Sequence, residues 1–163
     1  MWRQKMAEFI LRKAMVKDVK QIHELLMKEV GTGEGIVLPR SFNDLYNRLR
    51  DFYVIEDDVH RAIVGCCALA ITWNDIAEIR SLVVSQSLRK KGWGRRLVEA
   101  CVSEALTFGL FRVFTLTAKP EFFKKLGFCL VDHATLPQKV WADCLNCPKY
   151  PDQCNEVAMQ LTF

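Results

Sequence analysis

"LRKKGWGRRLV", residues 88–98, decides how this chain is read. Five cations, Arg89, Lys90, Lys91, Arg95 and Arg96, surround Gly92 and Gly94. A strand-like run, IRSLVV (79–84), comes immediately before. A helical pattern follows, with Leu97, Val98, Cys101, Val102 and Ala105 spaced for one buried side. Glycines between a strand and a helix let successive backbone N–H groups converge without Cβ obstruction. Those groups are the unsatisfied donors of a helix N-terminus, which favours an anion. The pattern is R-x-x-G-x-G. It is not the P-loop G-x-x-x-x-G-K-[ST], and the third glycine of the dinucleotide fingerprint is missing. A phosphate or pyrophosphate is the ligand class this predicts. A solvated basic face is what the charge run would mean without its strand and helix.

The chain has 163 residues, half of them hydrophobic. That suits one domain, residues 1–163, with a sizeable core. A net charge of +4 without aromatic interleaving of the basic loop argues against nucleic acid as partner. The longest apolar run, Ala62 to Ile71, is about half of what a membrane span needs. The N-terminus, MWRQKMAEFILRK, has charges throughout and no apolar signal region. Seven cysteines cannot all pair within one chain. A reduced, cytoplasmic setting follows, with no membrane partner.

Periodicity predicts a strand at Glu8 to Arg12, then a helix over 16–30 with Val19, Ile22, Leu25, Leu26 and Val30 inward. Gly31, Gly33 and Gly35 break that helix into a loop. Ser41 and Asp44 make a capping-box-like start for a second helix, with Leu45 and Leu49 on one face. Strands are expected at Phe52 to Glu56, Ala62 to Ile71 and Ala77 to Val84, with turns at Asp57-Asp58 and Asn74-Asp75. The helix after Gly92 runs to Phe108, where Gly109 ends it. A strand, Phe111 to Thr117, precedes a short helix, Glu121 to Leu126, between Pro120 and Gly127. Cys129 to Val131 and Glu156 to Leu161 are late strands. The order β-α-α-β-β-β-α-β-α-β-β indicates a mixed α/β domain.

Arg89, Gly92 and Gly94 match the three fixed positions of [QR]-x-x-G-x-[GA], and "FFKKLGF" (122–128) is a late helix ending in Gly-Phe. In both respects the chain resembles the GNAT superfamily of acyl-CoA-dependent N-acetyltransferases. The resemblance implies a mixed, mostly antiparallel sheet of six or seven strands flanked by helices. It also implies acetyl-CoA as co-substrate, its pyrophosphate cradled by Arg89, Lys90, Lys91, Gly92, Trp93, Gly94 and Arg95. A narrower similarity lies in "GIVLPRS" (35–41), "DFYVIEDD" (51–58), "IVGCCALA" (63–70), "AEIRSLVV" (77–84) and "LTAKPEFFKKLGF" (116–128). These resemble the acetyltransferase domain of N-acetylglutamate synthases, which implies L-glutamate as acceptor, N-acetyl-L-glutamate as product and a place in arginine biosynthesis. Longer members carry an amino-acid-kinase-like domain ahead of this one. Without it their arginine feedback site is not expected here.

An ammonium cannot attack a thioester until something takes its proton. Glu78 occupies the place of the family's catalytic glutamate; a salt bridge to Arg80 is the structural alternative. The resemblance implies that the strand splays beside a bulge, freeing backbone N–H groups near Leu82, Val83 and Val84 for an oxyanion and for pantetheine. Phe123 stands where many GNAT enzymes place a tyrosine that protonates the leaving thiolate. It belongs to the implied cofactor-binding set but has no proton to give. Ser81 and Thr117 are the nearest hydroxyls for that role, and either could be an ordinary strand hydroxyl. Arg40 matches the synthase arginine expected to grip a substrate carboxylate with two hydrogen bonds; the alternative is a solvated arginine before a helix. Lys119 is a second cation. The expected route is direct attack in a ternary complex. Competing readings are a GNAT acting on another amine, and a non-catalytic CoA- or anion-sensing module. Cys144 and Cys147 stand in C-x-x-C spacing with Cys154 beyond, which can hold a structural zinc or be three unpaired thiols. The sequence leaves open whether the protein is a homodimer.

Overall fold

The architecture is that of a computed structural model, which describes residues 8–31, 40–137, 140–147 and 154–163. Most of the glycine loop expected after the first helix, with the GIVLP run, and Pro148, Pro151 and Asp152 of the tail lie outside the described residues. Seven strands are assigned: β1 (Phe9–Lys13), β2 (Phe52–Asp57), β3 (Ala62–Ile71), β4 (Ile76–Val84), β5 (Arg112–Thr117), β6 (Cys129–Leu130) and β7 (Val157–Thr162). They form one sheet in the order β1-β2-β3-β4-β5-β7-β6. The β1/β2, β2/β3, β5/β7 and β6/β7 pairs are antiparallel, and β4/β5 is parallel. This is the mixed, mostly antiparallel sheet expected. The helices are α1 (Val19–Gly31), α2 (Phe42–Asn47), α3 (Trp93–Thr107), α4 (Pro120–Lys124) and α5 (Val140–Leu145). Among the described residues, no helix is long and apolar enough to cross a membrane. α5 was not expected from the sequence. Six residues are fewer than two helical turns, too short for a periodic signal.

The chain divides into two compact units, Met1–Ala68 with Ser81–Ala100, and Leu69–Arg80 with Cys101–Phe163.

In the first unit, the inward face of α1 (Val19, Ile22, Leu25 and Leu26) packs with Leu45, Phe52, Val54, Cys66 and Val83. Ser41 caps α2, its Oγ accepting from the Asp44 amide at 3.1 Å, as the sequence pattern predicts. Gly65 sits at a close approach: an added Cβ would lie 2.7 Å from Ile55 Cδ1, which would have to move, and 3.3 Å from the Val83 carbonyl oxygen. Arg12 of β1 ties three segments together. Its Nη1 and Nη2 meet the two Asp18 oxygens at 2.7 and 3.0 Å, and its Nε meets Glu56 of β2 at 2.7 Å. The Met15 amide donates to the same Asp18 carboxylate at 2.7 Å.

In the second unit, Ile76, Phe114, Leu136 and Ala158 form the core, with Leu116 and Val131 against it. The six-pair β5/β7 ladder runs from Arg112↔Thr162 to Thr117↔Val157. Pro120 opens α4 and seats Phe123 edge-on against Phe128, ring centroids 5.2 Å apart.

Burial pushes the Asp18 carboxyl up, but its bonds from Arg12 and Met15 outweigh that and hold it below the usual carboxylate range. A carboxylate with a lowered folded-state pKa contributes stability above its unfolded pKa and loses it as pH falls through the folded value. Asp18→Ala should therefore cost about 3 kcal/mol at neutral pH, the low end for breaking a buried pair, because Arg12 keeps Glu56. Urea unfolding of both proteins checks this, and the difference should shrink only on the acid side.

Candidate active site

The first unit carries the anion loop. β4 ends at Val84, and a single 3-10 turn over Gln86–Leu88 leads into it. Lys90 and Gly92 both adopt left-handed backbone, with φ of 61° and 84°. Gly92 is placed as its residue type requires, whereas Gly94 lies inside α3 and Lys90 takes the second left-handed position. A lysine there is strained, since its Cβ crowds the following carbonyl. The first helical bond recorded at this end runs from the Arg96 amide to the Gly92 carbonyl at 3.1 Å. The amides of residues 93–95 precede the helix's own ladder and are the donors a phosphate would take.

The cations around this loop divide by what they touch. Arg89 binds protein: Nη2 meets Glu29 of α1 at 2.6 Å and Nε donates to the Val84 carbonyl at 3.1 Å. Arg95 pairs with Glu99 at 2.7 Å along α3. Arg96 lies over the Trp93 ring, 4.3 Å from its centroid, and Trp93 meets Phe9 of β1 edge-on at 5.7 Å. Lys90 and Lys91 are exposed. Arg89 and Trp93 thus brace the loop, and the two lysines are exposed, with no acidic partner among the described residues. Ser81, within β4, has φ of 54° and is buried, and its carbonyl accepts from the Cys66 thiol at 3.4 Å. β4 runs through this residue from Ile76 to Val84, so the positive φ is a local irregularity inside a continuous strand. Leu82 and Val84 are half-buried and Val83 is buried. Arg40 is not solvated: its side chain is only 13% exposed and lies 3.7 Å from Asp44 of α2.

The second unit carries the candidate base. Backbone pairing of β4 with β5 covers Ile76↔Arg112, Ala77↔Val113 and Glu78↔Phe114. Past Glu78 a side chain takes over, Thr115 Oγ1 donating to the Ile79 carbonyl at 2.9 Å. Glu78 is half-buried at the end of that ladder. Arg80 Nη1 is 3.9 Å from Glu78 Oε2, too far for a hydrogen bond and close enough for charge attraction. The ion pair with Arg80 that the sequence offers as the structural alternative is thus present beside the candidate base. Thr117 is buried, and its oxygen accepts from the Lys119 amide at 2.9 Å. A hydroxyl that accepts one bond still carries a proton to donate. Lys119 is exposed at the N-cap of α4, and Phe123 is buried.

Of the two alternatives for the tail, zinc or unpaired thiols, the structure shows Cys144, Cys147 and Cys154 outside any disulfide. Among the described residues, no group of three or more His, Cys, Asp or Glu side chains could hold a metal ion. The zinc site at Cys144, Cys147 and Cys154 is therefore not supported. Cys144 sits at the end of α5, where burial, with Cys154 and Glu156 next in effect, pushes its thiol pKa up. Zinc needs thiolates, which that environment disfavours. Glu78 also contributes to the Cys144 shift, so α5 brings a thiol within electrostatic range of the candidate base. Sequence reasoning missed that neighbour because nothing in the tail's spacing marks α5.

Comparison with known proteins supplies the family. The acetyltransferase (GNAT) domain model matches residues 48–129. An uncharacterized N-acetyltransferase of Chlorobaculum tepidum is 40% identical over 157 residues, which is 96% of this chain and 98% of the relative. The chain belongs to the GNAT acetyltransferase family. It is an N-acetyltransferase. The amino-acid acetyltransferase of Mycobacterium tuberculosis is 32% identical over 133 residues, covering 81% of this chain and 75% of that one. Among solved structures, N-acetylglutamate synthase from Neisseria gonorrhoeae, complexed with coenzyme A and N-acetyl-glutamate, superposes with a TM-score of 0.83 at 28% identity. That match covers 97% of this GNAT chain and 36% of the synthase chain.

The left-handed backbone at Ser81 makes a direct prediction. Ser81→Gly should stay within about 1 kcal/mol of the parent, whereas Ser81→Val, β-branched at positive φ, should lose about 2 kcal/mol or more. Denaturant midpoints at constant m-value read the difference.

Proposed function

We propose that this enzyme transfers the acetyl group of acetyl-CoA to the α-amine of L-glutamate, forming N-acetyl-L-glutamate for arginine biosynthesis in a reducing, cytoplasmic setting. The observation that carries the donor is the loop at the start of α3, with left-handed Lys90 and Gly92 and the amides of residues 93–95 ahead of the helical ladder. An acyl carrier with a pyrophosphate suits those donors, and Lys90 and Lys91 add a salt-sensitive field. The acceptor class rests on the amino-acid acetyltransferase that is 32% identical, and glutamate on the synthase with a TM-score of 0.83. A partly covered arginine, Arg40, is the residue type a dicarboxylic acceptor needs.

The chain's residues divide the chemistry as follows. Glu78 takes a proton from the incoming ammonium, directly or through a water. The freed amine attacks the thioester carbonyl, and backbone N–H groups near Leu82, Val83 and Val84 stabilise the oxyanion. Carbon–sulfur cleavage returns the carbonyl and releases the CoA thiolate; the proton the attacking nitrogen sheds on becoming an amide passes to that thiolate through the hydroxyl of Thr117 or Ser81, which is left as it began. Phe123 lines the site as an apolar wall and gives no proton. Arg40 pairs with an acceptor carboxylate, and Lys119 adds a second cation.

Glu78→Gln should lower kcat by roughly 10²–10⁴-fold while acetyl-CoA binding persists. Isothermal titration and steady-state rates separate the two, and near-normal turnover at neutral pH removes Glu78 from the role. An acetyl-CoA turnover screen across the twenty amino acids, followed by thiol release, should place glutamate first. Arg40→Ala should then raise KM for glutamate far more than for acetyl-CoA. If alanine or lysine serves as well as glutamate, the acceptor assignment fails and the transferase assignment stands.

A further inference from the structure

The second unit exposes a set of large apolar side chains at one end of its strands. Ile71 ends β3, Trp73 lies in the β3–β4 turn, Phe108 follows α3, Phe111 precedes β5 and Phe163 follows β7. Each is between 44% and 60% exposed. Backbone geometry gathers them. The Trp73 amide donates to the Ile76 carbonyl at 3.1 Å, Ile76 is in register with Arg112, and the Phe163 amide donates to the Phe111 carbonyl at 3.1 Å. Catalysis as derived above uses none of these residues.

Aromatic side chains present roughly 150–250 Å² each, so five large side chains about half exposed leave on the order of 500 Å² of apolar surface. That is at the upper end of what a monomer carries, about 300–600 Å². A stable interface buries about 800 Å² per partner, with a core about 65% apolar. The patch supplies that apolar share, and its polar neighbours supply the rest.

Charge selects the partner. The chain carries +4, so two copies repel through most of their surface. Residues 71–76, 106–112 and 160–163 contain one anion and one cation, Asp75 and Arg112, and no lysine. These two pair at 2.7 Å and are 52% and 33% exposed. The end of the sheet is therefore neutral and bears both signs on its rim. A two-fold axis through it would bring the two Asp75–Arg112 pairs side by side, so that each half-exposed carboxylate meets the partner's guanidinium as well as its own, the self-complementarity an isologous contact requires.

We infer that this end of the sheet, centred on Trp73, Phe111 and Phe163, is the surface on which a second copy of the chain docks to form a two-fold dimer. Sedimentation equilibrium of the full chain from about 1 to 100 µM tests it. The parent should associate to a dimer within that range, and Trp73→Glu with Phe111→Glu should weaken association at least about 100-fold. Circular dichroism shows whether that variant folds. A charge swap tests the surface without touching the apolar centre. Asp75→Arg should weaken the dimer about tenfold, and Asp75→Arg with Arg112→Asp should restore it. A parent that stays monomeric at about 100 µM overturns the inference, as does a folded Trp73/Phe111 variant that dimerises unchanged. A charge swap that fails to recover association overturns the rim pairing and with it the two-fold arrangement.

Discussion

Three backbone pairs join β4 to β5, and the backbone of the rest of β4 is shaped by their stopping at Glu78↔Phe114. A parallel ladder that ran the full strand would consume the backbone groups of both elements. Instead the Thr115 hydroxyl takes the Ile79 carbonyl, satisfying a buried acceptor that the ladder has abandoned. Two residues on, Ser81 turns through left-handed backbone at a cost of about 1–2 kcal/mol. Strain of that kind persists only where surrounding packing over-determines it. Here the Cys66 thiol bonds the Ser81 carbonyl, and Gly65 lets the Val83 carbonyl approach.

The first unit is organised around a different need, holding β1 to its neighbours at low cost in buried charge. One guanidinium serves Asp18 and Glu56 together, and Arg61 reaches the other Glu56 oxygen at 3.0 Å. Opposed charges this close repay their desolvation only with full hydrogen bonding. The forked geometry of Arg12 provides it, which a lysine could not. α1, fixed at its start by that carboxylate, carries Glu29 to Arg89 at the anion loop. The stability of the ion network and the position of the loop are thus linked through one helix.

The comparison of residue type with role is sharpest in the basic loop. Five cations look alike in the sequence, but Arg89, Arg95 and Arg96 are engaged with Glu29, Glu99 and Trp93, leaving Lys90 and Lys91 at the surface. Of the two readings of Arg40, a carboxylate grip or a solvated arginine before a helix, the second does not hold, since its side chain is largely covered beside Asp44.

Strand and helix order was legible from the sequence because burial imposes periods of 2 and 3.6 on residues that neighbour one another along the chain. Ile76 to Val84 alternates in burial, and the α1 and α3 stripes follow the longer period. Gly92 and the Ser41 cap were legible because local backbone geometry demands those residue types. What required tertiary structure was every partnership between distant segments. The end of the β4/β5 ladder, the Arg89–Glu29 strut and the meeting of Cys144 with the field of Glu78 join residues 36, 60 and 66 positions apart along the chain. The thiols of the tail show the limit most plainly. C-x-x-C spacing permits a metal site, but ligation depends on whether enough donor side chains converge, and among the described residues no such group of three does.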